Sequence, residues 1–295
     1  MKRFTSLAAA LALGAAMAGV AFAQPQRDPF NGAFGVFELP MSPTEAAREV
    51  ELMGDALSDL PAQRPGVVDV YIVAAALWGD PVFEREASQA ANILQQHFGD
   101  NTRTILLAAG LPNAPRTHPA ASPNNLLAAI GKVGQVMDPS EDLMVLFITS
   151  HGSPDGSAAM LEHNRLRASL RPVHLRDALR AADIRNRVVI VSACFSGAFI
   201  APLADQNTIV LTAAAPDRSS FGCQAENDWT FFGDAYFNNA VRNGDGLVSA
   251  FDSARVLVEQ WEREQGMSPP SNPQRFVGAN AAARLSAAEA AARNQ

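Results

Sequence analysis

The sequence is sparing with several residue types, and each shortage removes a class of function. Two cysteines, Cys194 and Cys223, occur in 295 residues, too few for a disulfide framework. The formal charge is −7 and no basic block interrupts it, which excludes nucleic acid as the expected partner and gives no reason to expect an anionic membrane surface. His97, His118, His163 and His174 show no metal-ligand spacing. A zinc site built from His151, Asp155 and His163 would leave the block around Cys194 without a purpose. Phosphate-loop and dinucleotide fingerprints are both missing. No metal and no cofactor are therefore expected. Internal repeats are absent too.

The first 23 residues read as an export signal: Lys2 and Arg3, an apolar stretch from Leu7 to Val20, and Ala21-Phe22-Ala23 before Gln24. The stretch is short for a bilayer span, and the mature chain offers no integral membrane segment. The mature protein is expected in the periplasm or secreted, with 272 residues from Gln24 and a formal charge of −9 once Lys2 and Arg3 are gone. That length suits one large α/β domain or two small ones. The expected organisation is a signal over 1–23, a leader and short helix over 24–66, a main domain over 67–265 and a peripheral tail over 266–295.

From Val67 the pattern alternates strand and helix. Strands are expected at Val67–Val73, Thr104–Leu107, Leu143–Thr149, Val188–Val191 and Thr208–Thr212. Helices start at Ser42, at Asp80-Pro81 and at Ser122-Pro123, where a capping residue precedes or meets proline. Others follow over Leu175–Ala182, after Asp228 and through Leu247–Trp261. Loops are expected over 151–171 and 213–227, and a weak helix near 286–293. Strands that are apolar at nearly every position are buried on both faces. This implies a mainly parallel sheet with helices on each side, a three-layer α/β/α sandwich.

Two of these strands end in chemistry. Leu143-Met144-Val145-Leu146-Phe147-Ile148-Thr149-Ser150 runs into His151-Gly152, and Arg187-Val188-Val189-Ile190-Val191-Ser192-Ala193 runs into Cys194-Phe195-Ser196-Gly197. In an open parallel sheet the carboxyl ends of the strands line the ligand crevice. A thiol there becomes a nucleophile when an imidazole takes its proton. Gly152 allows a backbone N–H close to a substrate carbonyl, and with the N–H of Cys194 it can form an oxyanion hole. Ser196-Gly197 is expected to turn into a helix whose start favours the thiolate. In an oxidising compartment Cys194 could instead pair with Cys223. The nucleophile-like setting of Cys194 speaks for a free thiol, and Cys223 reads as packing.

These blocks resemble the legumain-like cysteine peptidases of the caspase–haemoglobinase superfamily, in which one strand ends in His-Gly and a later one in Ala-Cys-x-Ser-Gly. The resemblance extends to Ile72-Val73-Ala74 with Trp78, to the loop Thr212–Cys223, and to Gly233-Asp234, covering about Val67 to Trp261. It implies a caspase-like sheet, protein or peptide substrates, His151 as base, Cys194 as nucleophile and Gly152 as oxyanion donor. It also implies a substrate pocket drawing on Arg85, on position 192, on Asp234 and on the loop that carries Ser219. Family members have an acidic residue where this chain has Ser192, so cleavage after Asn is not simply inherited and Asp is the other candidate. The family's orienting Asn near the end of the first strand has no equivalent at Ala76 or Leu77. A transpeptidase on the same fold, or a non-catalytic scaffold, are the rival readings.

Overall fold

Six strands make the main sheet, in the order Thr102–Ala108, Val70–Ala76, Leu143–Thr149, Arg187–Ser192, Thr208–Thr212 and Gln274–Val277. The computed structural model describes residues 37–38, 41–58, 60–111, 114–163 and 165–294; the expected export signal lies outside them. In chain order the elements are β1 (Phe37–Glu38), α1 (Pro43–Ser58), β2 (Val70–Ala76), α2 (Pro81–Phe98), β3 (Thr102–Ala108), α3 (Pro123–Val136) and β4 (Leu143–Thr149). There follow β5 (Ala158–Glu162), β6 (Leu166–Leu170), α4 (Pro172–Ala181), β7 (Arg187–Ser192), α5 (Ile200–Leu203) and β8 (Thr208–Thr212). The chain continues with α6 (Phe231–Gly233), a π-helical stretch over Asp234–Val241, α7 (Leu247–Glu264), β9 (Gln274–Val277) and α8 (Ala279–Arg293).

The central strands β2, β4, β7 and β8 are buried at every position, which is what their unbroken apolar runs require. The pairs β2–β3, β2–β4, β4–β7 and β7–β8 are all parallel. Helices fill both faces. Phe83, Ala87, Ala90 and Leu94 of α2 pack on one face with the π-helical stretch, α7 and α8. Leu126 and Ile130 of α3 and Leu175 and Leu179 of α4 pack on the other, with α1 beside them. This is the three-layer α/β/α sandwich that the sequence implies. Among the described residues no helix is long and apolar enough to cross a membrane.

The capping expectations at α1 and α3 hold. Ser42 and Glu45 bond reciprocally, Ser42 N to Glu45 Oε2 at 2.9 Å and Glu45 N to Ser42 Oγ at 3.3 Å. Ser122 Oγ accepts from Asn125 N at 3.2 Å. The helix expected behind Asp228 starts instead at Thr230, whose hydroxyl accepts from Gly233 N at 3.1 Å, while Asp228 pairs with Arg85.

Two segments differ from expectation. The stretch 151–171, read as a loop, holds the antiparallel hairpin β5–β6, joined on its outer edge by β1. Each of its strands is only five residues long and faces solvent on one side, so it lacks the long apolar run that reveals a central strand. The tail from Gly266, read as peripheral, supplies β9, antiparallel to β8 at the sheet edge, and α8, which buries Ala281, Leu285 and Ala288. A four-residue edge strand after three prolines carries little signal, and an alanine-rich helix shows its buried stripe only faintly.

Candidate active site

The β4–β7 ladder aligns Phe147 with Ile190 and Thr149 with Ser192. Just beyond the ladder Ser150 N donates to Ser192 O at 3.1 Å, and His151 and Cys194 follow directly on the two strand ends. Val145 and Phe147, Val188 and Ile190 all face the α2 side of the sheet. By the period of two, Thr149 and Ser192 face that side as well, and the His151 ring joins them there against Phe83 of α2. The two strand ends approach closely here: a Cβ at position 152 would overlap the carbonyl oxygen of Cys194, so the Gly of His-Gly is a requirement of packing.

The His151 ring is held on three sides. Trp78, just beyond β2, and Phe83, in the first turn of α2, meet it edge to face at centroid distances of 4.9 and 5.0 Å. His151 Nε2 lies 3.4 Å from Asp80 Oδ2. Asp80 occupies the N-cap position of α2 but makes no side-chain cap bond, so its carboxylate is free to serve the imidazole. With Nε2 turned to Asp80, Nδ1 is left for proton exchange. Asp80 is the residue that reading the sequence as a sequence missed. The Asp-Pro pair there has a sufficient local explanation as a helix start, and nothing in the spacing points to His151, 71 residues on.

Cys194 is partly exposed and unpaired, as is Cys223. Ser220 N donates to Cys194 Sγ at 3.3 Å, and the Ser220 carbonyl and hydroxyl oxygens lie at 3.6 and 3.7 Å. Among the described residues no hydrogen bond joins His151 to Cys194; catalytic contacts are often long in an uncomplexed site and tighten around substrate. Burial pushes the Cys223 thiol up, and negative charge on Cys194 adds to the effect.

The turn after the nucleophile differs from expectation. Phe195, not a glycine, takes the left-handed conformation, with φ 58° and ψ 12°. This is a strained arrangement for an aromatic residue, fixed by Phe195 N donating to Arg218 O at 2.7 Å. A short 3-10 turn over Ser196–Phe199 and the four-residue α5 follow, so there is no long helix dipole behind Cys194. Ser196 and Gly197 instead hold the adjacent loop: Ser196 Oγ accepts from Ala214 N at 3.1 Å, and Gly197 N donates to Ala214 O at 2.8 Å.

Arg85, Ser192 and Asp234, expected to bind substrate, each touch the segment of residues 227–230 or line a cavity with it. Arg85 donates to Ala225 O and Asn227 O, each at 2.5 Å, and pairs with Asp228 at 3.2 Å, pinning the loop of residues 225–228 to α2. Ser192 is buried with its hydroxyl 3.0 Å from Thr230 Oγ1. Asp234 accepts from the Asn238 and Asn239 side chains and borders a cavity of about 580 Å³ with Trp229, Phe231 and Trp261. Ser219 is exposed, one residue from the Ser220 that touches Cys194. Next to Arg85, Glu86 is fully buried and accepts hydrogen bonds from Thr149 and Thr230. Burial raises its carboxyl group to about 7.

A family model for the peptidase C13 family matches residues 123–278, which include His151, Gly152, Cys194 and Asp234. The chain belongs to the peptidase C13 family. It is thus a cysteine peptidase, a hydrolase whose substrates are proteins. No curated protein matches it. Among solved structures it is similar to the crystal structure of caspase-1 from Spodoptera frugiperda, with 10% sequence identity and a TM-score of 0.48, over 74% of this chain and 88% of that one. In this C13 peptidase, Trp78, Asp80, Phe83 and Arg85 all precede the matched residues.

Proposed function

We propose that the chain is an exported cysteine endopeptidase working through a Cys194–His151 dyad, with Asp80 orienting the imidazole. The observation that carries this reading is that His151 and Cys194 directly follow the paired ends of β4 and β7, which approach so closely that a Cβ at position 152 would overlap the Cys194 carbonyl oxygen. The Ser220 N–H on the sulfur and the Asp80 carboxylate on Nε2 add to it.

The steps follow from elementary chemistry. Cys194 Sγ gives its proton to His151 Nδ1 and attacks the scissile carbonyl carbon. The tetrahedral oxyanion accepts from the N–H groups of Gly152 and Cys194, each such donor being worth about a hundred- to a thousandfold in rate. The imidazolium then protonates the departing amine, the carbon–nitrogen bond breaks and an acyl-thioester remains. Water, deprotonated by His151, hydrolyses the thioester and restores the thiol.

The decisive experiment is labelling by a thiol-directed electrophile. Cys194 should react, and His151→Ala should slow it by about tenfold or more, since the thiolate would then depend on solvent alone. Equal rates in both forms would favour a scaffold. A preference for Asn or Asp before the cleaved bond draws on Arg85, Ser192, Asp234 and Ser219. A peptide library analysed for cleavage sites tests it, and absence of bias towards either residue removes it. Transpeptidation is the alternative outcome, read from product analysis with an added amine. Export rests on residues 1–23; recovery of the intact, uncleaved chain from the cytoplasm would refute it.

A further inference from the structure

Below the dyad, the face of the sheet turned to α2 changes character in one step. Phe147 and Ile190 form an apolar pair, and Thr149 and Ser192 form the next pair outward. Both of these hydroxyls lead to one carboxyl group. Thr149 Oγ1 donates to Glu86 Oε2. Thr230 Oγ1 donates to Glu86 Oε1 at 2.6 Å and accepts from Gly233 N at 3.1 Å. Since the one proton on the Thr230 hydroxyl is directed at Glu86, Ser192 is the donor across its 3.0 Å contact with Thr230. With Glu86 ionised, every hydroxyl in this chain points towards the carboxylate. Glu86 and Thr149 are fully buried, Ser192 and Thr230 nearly so. A Cβ at position 233 would overlap Glu86 Oε1, so the structure makes room for this side chain.

An isolated carboxyl group taken from water costs several kcal/mol unless hydrogen bonds offset it, and a salt bridge to Glu86 is not among those of the described residues. Stability alone is a poor reason to bury it. Its partners are telling: Thr149 stands two residues before His151, Ser192 two before Cys194, and Glu86 lies one helical turn after Phe83, which packs against the imidazole. We propose that Glu86 is a positioning residue for the dyad: by holding Thr149 directly and Ser192 through Thr230, it fixes the spacing of the two strand ends that carry His151 and Cys194. Such control matters because a displacement of about 1 Å in a reacting pair can cost about a hundredfold in rate. The inference rests on the Cys194–His151 reading above.

The test measures iodoacetamide alkylation of Cys194 in the full chain carrying Cys223→Ser, alongside thermal unfolding. Glu86→Ala should slow alkylation by about fivefold or more, whereas Glu86→Gln, which can still bond both hydroxyls, should stay within about twofold of the parent. Thr149→Val should also slow the reaction, and combined with Glu86→Ala it should add little, because both changes remove one shared interaction. If Glu86→Ala does not fold, Thr149→Val and Thr230→Val take its place, each expected to slow alkylation. Parent-like alkylation in Glu86→Ala (or in both threonine variants), or a Glu86→Gln rate as low as that of a folded Glu86→Ala, overturns the proposal. His151→Ala separates the two readings: if it fails to slow alkylation the dyad itself is wrong, and if it alone slows alkylation only the role of Glu86 is.

Discussion

Asp80 Oδ2 stands 3.4 Å from His151 Nε2, and the helix that Asp80 starts takes no side-chain cap from it. The carboxylate thus does for the imidazole what it does not do for its own helix. It selects the tautomer with the proton on Nε2 and leaves Nδ1 as the base. Asp80→Ala is expected to lower kcat on a cleaved peptide by about ten- to a hundredfold, a part of the roughly hundred- to ten-thousandfold that general acid–base catalysis contributes, since His151 itself remains. Asp80→Asn, still able to accept from Nε2 through its amide oxygen, should lose less. Because no cap bond is lost, Tm should change little in either variant. Parent-like turnover in Asp80→Ala would show that the ring is held by Trp78 and Phe83 alone.

Gly152 supports a second prediction, from packing. A methyl group there collides with the Cys194 carbonyl oxygen, so Gly152→Ala must part the ends of β4 and β7. Overpacking of this kind costs about 1–3 kcal/mol. The loss of turnover should be larger than the loss of stability suggests, because the displaced atoms carry the nucleophile and an oxyanion donor. Urea denaturation and peptide turnover on the same preparation check both parts.

The central sheet was legible in the sequence because parallel strands buried on both faces carry unbroken apolar runs, as in Leu143–Ile148 and Val188–Val191. The His and Cys at their ends were legible for the same reason: a reactive side chain and a glycine stand out after such a run. What stayed hidden depends on neighbours distant in the chain. Asp80 and Glu86 look like a helix cap and a helical surface residue, and only the docking of α2 on β4 turns them towards His151 and Thr149. The hairpin β5–β6 and the edge strand β9 are short and half-exposed. Phe195 carries a left-handed turn that local preference assigns to Gly197.

The role of α8 gives a third prediction. Leu285 is buried against the face that also receives α2, and α2 carries Asp80, Phe83 and Glu86. Leu285→Ala should cost about 2–4 kcal/mol by transfer and cavity terms. Under native conditions the folded fraction should keep its Cys194 alkylation rate, since α8 does not touch the dyad. A stability loss below about 0.5 kcal/mol, the size of an ordinary surface change, would mean that the tail is peripheral after all.

Glu86 makes stability depend on pH with an unusual sign. Its carboxyl group rises from an ordinary value of 4.5 to about 7 in the folded protein, chiefly by burial, with Asp234 adding to the effect. The folded state therefore binds this proton more tightly than the unfolded chain does. Between about pH 4.5 and 7 the native form holds the extra proton, so stability falls as pH rises through that window and levels off above it. A shift of this size corresponds to about 3 kcal/mol. Asp142, raised by burial from 3.8 to about 6, contributes with the same sign over a lower window. Of the charged side chains nearby, Arg85 is committed to Ala225, Asn227 and Asp228 and does not neutralise Glu86. Glu86→Gln removes the titrating group while keeping the shape. Urea denaturation at pH 5.5 and 7.5 should show the parent losing more stability between the two than Glu86→Gln does. Equal losses in the two proteins would mean that Glu86 is ionised in the fold throughout this range.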